Sequence, residues 1–87
     1  MKPGQELIDK GLEDLANGRE TIESLLVRIG GPRLRRSGIE VPSLPGELPE
    51  HLLYQILAAE DSDSAHSRYN ALIRRLVSFE RALECGI

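Results

Sequence analysis

Few side chains in this sequence could do chemistry, and spacing decides what each can do. Asp61-Ser62-Asp63 followed by His66 brings carboxylates and an imidazole into one short run. A calcium loop needs oxygens spread over a longer loop, and a catalytic zinc needs more ligands than this run offers. The same residues just ahead of a long apolar-periodic stretch read instead as helix caps, with acids at the helix's positive end. His66 then falls in a first helical turn off the apolar face, and His51 sits outside the Leu52 and Leu53 face. No Cys or His pair has metal-ligand spacing, no Gly-rich loop precedes Lys-Ser or Lys-Thr, and no Gly-x-Ser-x-Gly elbow is present. The chain therefore does not read as an enzyme, and no catalytic, cofactor-binding or metal-binding residue is expected.

Cys85 is the only cysteine, so no intramolecular disulfide can form and a reducing cytoplasm is the expected compartment. Glu84-Cys85-Gly86-Ile87 places its cysteine third from the end, whereas a prenylation box needs it fourth. No apolar run is long enough to span a bilayer, and no membrane association is expected.

The arginines are the remaining candidates. The sequence carries a net charge of −3, but the signs come in blocks. Carboxylates dominate through Val27, Arg28 to Ser37 holds Arg28, Arg33, Arg35 and Arg36 without an acid, and Gly38 to Asp63 holds six acids without a Lys or Arg. Arg68, Arg74, Arg75 and Arg81 follow. Pairing between these blocks in a compact fold is the simplest account. The alternative is an anion or nucleic-acid site in which Arg33, Arg35, Arg36, Arg68 and Arg75 contact phosphates. A helix-turn-helix does not fit. Leu26 stands where a small residue belongs, and Gly31-Pro32 breaks the start of the second helix, leaving barely one turn before Ser37-Gly38. With Tyr54, Tyr69 and Phe79 as the aromatics, a base-stacking platform is poorly supported.

The elements that position these residues are helices. Leu7, Ile8, Gly11, Leu12, Leu15 and Ala16 recur at three- and four-residue spacing, opposite Glu6, Asp9, Lys10, Glu13 and Asp14. This predicts a helix over about 3–16, with Pro3 in its first turn and Asn17-Gly18 as its stop. Thr21 is a fitting N-cap for a second helix over 21–29 that buries Ile22, Leu25, Leu26 and Ile29, closing an antiparallel hairpin. Gly30-Gly31-Pro32 ends it, and one turn through Arg33 to Arg36 leads into a proline-bearing stretch. Segment 30–48 is expected to be an irregular strap, with Ile39, Val41, Leu44 and Leu48 lying against the helices. Pro49 opens a third helix over 49–59 whose core face is Leu52, Leu53, Ile56 and Leu57. The fourth, over 65–83, has no Gly or Pro and reads as the backbone of the domain. The expected fold is all-α: one domain over 1–87, a small four-helix bundle of two hairpins joined by the strap.

An 87-residue chain buries only about 60% of its unfolded surface, so a partner is a natural source of stability. The last helix has an apolar arc of roughly 160° and outreaches its neighbours. The expectation is a protein-interaction or accessory module that binds another protein, or itself, through the last helix and the central strap, with Leu76, Phe79 and Leu83 in the seam of a homodimer. Glu80 interrupts that arc, and a buried carboxylate needs a partner, drawn from Arg28, Arg33, Arg35 or Arg36.

Overall fold

The computed structural model describes residues 2–86. Met1 and Ile87, the ends of the span read as one domain, lie outside them, and Ile87 is also the last residue of the tetrapeptide weighed as a prenylation box. The described residues form an all-helical bundle of five helices: α1 (Gln5–Ala16), α2 (Ile22–Ile29), α3 (Gly31–Arg36), α4 (Pro49–Glu60) and α5 (Ala65–Glu84).

The first hairpin closes because α1 and α2 touch through a residue without a side chain. A Cβ on Gly11 would overlap the Glu23 carbonyl oxygen and Val27 Cγ2, so only glycine lets the two backbones approach this closely. The turn is specified on both sides. Gly18, at φ 72, donates its amide to the Leu15 carbonyl at 3.1 Å, and the Arg19 amide donates to the Asp14 carbonyl at 2.8 Å, the paired bonds of a Schellman closure. Thr21 then caps α2. Its Oγ1 accepts the Ser24 amide at 3.1 Å while its own amide donates to Ser24 Oγ at 2.8 Å.

Pro3 does not open α1. Gly4 stands as N-cap in the left-handed region at φ 75, and a Cβ there would sit 2.9 Å from the Arg75 carbonyl oxygen, so the start of α1 lies on α5. The region expected to be irregular from residue 30 is helical over Gly31–Arg36. α2 ends at Ile29 as expected, and Gly30, at φ −80 and ψ 0, is both its C-cap and the N-cap of α3, so the second helix follows with no loop between. Pro32 costs nothing in a first turn, where amides lack intrahelical acceptors. The α3 end closes as α1 does: Gly38 donates to the Arg35 carbonyl at 3.1 Å and Ile39 to the Leu34 carbonyl at 3.0 Å. The irregular strap is therefore 37–48.

The core cluster is Ile8, Leu25, Leu26, Val27, Leu34, Val41, Leu53, Leu57, Ala65, Leu76 and Phe79. Four consecutive buried positions, Ser24 to Val27, lie on α2, which packs against α1, α3, α4 and α5. The central element is thus α2, not the long C-terminal helix. Length misleads here: α5 spans about 30 Å at 1.5 Å per residue, but only Ala65, Leu76, Phe79 and Glu80 on it are buried.

Leu26→Ala should lower stability to urea by about 2 to 5 kcal/mol, as truncation in a closed core does. Arg74→Ala, exposed on α5, should change it by less than about 0.5 kcal/mol. Gly11→Ala should destabilise despite its higher helix propensity, because α1 must move off α2; a neutral or stabilising result would reject the close approach.

Candidate interaction surface

The chain itself covers the seam expected to meet a second copy. Leu76 and Phe79 are only 3% and 4% exposed, and Leu83 is half-buried. Gly4 sits over Phe79, and Gly30, where α2 meets α3, packs against the Leu76 methyls. The centre of the α5 apolar arc is covered by α4, by α2 and by the start of α1, while Tyr69, Leu72, Ile73, Val77 and Leu83 along it are only partly buried.

The five candidate arginines are not brought to one place. Arg33 holds Glu84 through Nε at 3.0 Å and Nη2 at 2.6 Å, and its Nη1 reaches Glu80 Oε1 at 3.2 Å. Arg35 donates Nε to the Val41 carbonyl at 2.8 Å. Arg68 pairs with Glu60 at 2.8 Å, and Arg75 pairs with Glu6. Arg68 and Arg75 do share an open depression with Leu7, Ile22, Glu23 and Leu72. Arg36 is exposed on α3. Acidic and basic blocks thus pair across the fold, and a phosphate would have to displace carboxylates already in place.

Two carboxylates are buried, and they behave oppositely. Asp14, assigned to the polar face of its helix by periodicity, is 1% exposed. It accepts hydrogen bonds from Lys10 Nζ at 2.8 Å, Thr21 Oγ1 at 2.6 Å and Arg19 Nε at 3.0 Å. The Lys10 bond, then the Thr21 bond, holds its carboxyl well below the ordinary 3.8. Glu80 meets the predicted need for a partner in Arg33, yet burial pushes its pKa up, against the pull of that guanidinium. Arg33 binds Glu84 more closely and lowers that carboxyl.

Asp61 Oδ1 accepts the Asp63 amide at 3.1 Å, so this acid shapes the α4–α5 turn, and Ser64 rather than an acid holds the N-cap of α5. His66 is exposed, its Nε2 3.2 Å from Asn70 Nδ2. Among the described residues, no three His, Cys, Asp or Glu side chains group closely enough to hold a metal.

The strap is open as well. Arg35 fastens it at Val41, which is buried. On one side, Ile39, Val41 and Pro42 form with Leu12 and Ala16 of α1 a broad depression of about 650 Å³, rimmed by Arg35 and Glu40. Further along, Leu44 edges a smaller one beside Leu15, Ser24 and Arg28. Leu44 and Leu48, expected to pack as Val41 does, are 52% and 59% exposed. No periodicity marks an irregular segment, so only their type, leucines among prolines and acids, pointed to this surface.

No family model matches the chain, and comparison with curated proteins and with solved structures finds no similar protein.

Two outcomes follow from these contacts. Phe79→Ala should cost about 3 to 5 kcal/mol of stability and leave the sedimented mass unchanged; a fall in mass without loss of stability would restore the seam as an interface. The depressed Asp14 carboxyl stabilises the fold above its unfolded pKa, and that contribution is lost as pH falls through the unfolded value of 3.8 and below. Asp14→Asn should therefore be less stable at neutral pH and lose less between about pH 5 and pH 2, measured by urea unfolding at each pH.

Proposed function

We propose that this chain is a small helical interaction module that docks another protein on the strap 37–48 and the depression it forms with the C-terminal half of α1. The observation that carries this reading is the exposure of Leu44 and Leu48 in a segment that Arg35 fastens at the buried Val41. Lone exposed leucines are ordinary, but two on one irregular segment beside an apolar depression are the composition of a contact surface. Pro42 and Pro45 restrict the strap before it binds, which lowers the entropy lost on docking. Of the two surfaces expected to meet a partner, the last helix and the strap, this reading rests on the strap. A reducing compartment suits an exposed Cys85 with no second cysteine to pair with. No helix among the described residues is long and apolar enough to cross a membrane.

A photoreactive amino acid at position 48 should give a discrete protein adduct in extract of the source cell, and Leu44→Ser should remove it. The same group at position 74, on the outer face of α5, should give none. Equal adducts from both positions would end this assignment.

A further inference from the structure

We propose that the strap accepts a basic, apolar-bearing polypeptide segment, its apolar side chains set on Leu44 and Leu48 and its Lys or Arg side chains beside Glu40 and Glu47. The inference rests on the docking role above and names the chemistry of the partner. Glu40 and Glu47 are exposed, and neither forms an ion pair among the described residues. No Lys or Arg occurs from Ser37 to Ser67 to neutralise them locally.

Of the cations that other elements bring nearby, Arg36 is exposed on α3 just ahead of the strap and the others are engaged. Arg35, at the rim of the larger depression, donates to Val41 and lies over Gly31, where a Cβ would stand 3.0 Å from its Nη2. Beside Leu44, Arg19 holds Asp14 at 2.9 Å and Arg28 faces Glu20 at 3.9 Å. What the strap offers outward is apolar contact flanked by unpaired negative charge.

Complementarity then separates the occupants. A two-fold dimer through this face would bring Glu40 and Glu47 of both copies together, a like-charge contact that costs affinity. Nucleic-acid phosphates and an anionic bilayer are repelled for the same reason. A cationic segment with apolar side chains gains from both features, the leucines holding it and the acids selecting it and speeding its approach.

The test uses the full chain and three short fluorescent peptides read by anisotropy: one alternating leucine with lysine, one leucine with glutamate, one serine with lysine. The leucine–lysine peptide should bind, and the serine–lysine peptide should bind at least about tenfold more weakly. The pairs Leu44→Ser with Leu48→Ser, and Glu40→Gln with Glu47→Gln, should each weaken leucine–lysine binding by about tenfold or more. Asp9→Asn with Asp63→Asn removes the same charge elsewhere and should change it by no more than about twofold. An equal loss in that control pair means unspecific attraction to an acidic protein and overturns the proposal. If the leucine–glutamate peptide binds as tightly, and loses binding with Leu44 and Leu48, the surface still docks but its partner is not basic. If no peptide responds to Leu44 and Leu48, the docking role falls as well. A sedimented mass that rises with protein concentration, and does so less in the Leu44 and Leu48 pair, assigns the face to a second copy and also overturns the proposal.

Discussion

The close approach of α1 to α2 is the constraint on which the rest of the structure depends. It is made possible at Gly11, where any side chain would collide with α2, and it is locked at Asp14. That carboxylate accepts from the residue one turn before it, from the turn, and from the N-cap of the next helix, so three local elements share one buried anion. An isolated buried carboxylate would oppose folding strongly. Satisfied three times, it makes the hairpin angle costly to change, because opening the hairpin strands the charge. With α2 held in this way, α3, α4 and α5 can all pack on it.

A second charged cluster does for the far end of the bundle what Asp14 does for the hairpin, but less completely. Arg33 reaches from α3 to Glu80 and Glu84 on α5, tying the helix that launches the strap to the C-terminal helix. Glu80 is buried yet gets the weaker share of the guanidinium, so desolvation outweighs attraction there and its pKa rises, while that of Glu84 falls. The two buried acids thus bias stability in opposite directions as pH falls: protonating Asp14 removes bonds, and protonating Glu80 relieves desolvation. Arg35, two residues on from Arg33, fastens the strap at Val41. The α3 turn is therefore a junction whose arginines brace the fold.

Much of this was legible in the sequence, and the failures have physical causes. The all-helical class, the Asn17-Gly18 stop, the Thr21 cap and the opening of α4 at Pro49 follow from local chemistry, which a sequence states directly. Pairing between charge blocks was also legible, as was the need of Glu80 for one of four arginines. Asp14 was not, because periodicity assigns faces by hydrophobicity and cannot foresee a carboxylate recruited by a turn that follows it. The stop of α2 at Ile29 was legible, but the start of α3 already at Gly31 was not, because Gly30-Gly31-Pro32 reads as a break, whereas Gly30 packs against Leu76 where a side chain would not fit. The cover of Leu76 and Phe79 within the chain was not legible for a related reason. An apolar arc shows how much surface must be covered, but not whether the cover comes from another chain or from Gly4 and Gly30 of the same one.

That redistribution changes what kind of partner the molecule suits. A seam on α5 would be a self-complementary helix face, the geometry of a homodimer. With Leu76 and Phe79 in the core, the exposed large apolar side chains among the described residues are Tyr54 on α4 and, more exposed, Leu44 and Leu48 on a segment without regular hydrogen bonding, braced at Val41 and stiffened by prolines. Because Arg33, Arg68 and Arg75 are spent on internal pairs, the acids of the strap, where the sequence holds no Lys or Arg, keep none of them as partners. The same pairing that stabilises a small fold therefore leaves the charge asymmetry at the strap. Folding thus allocates the eleven basic side chains unevenly: those that close the bundle, Arg33, Arg68 and Arg75 among them, leave Glu40 and Glu47 on the strap without an ion pair among the described residues.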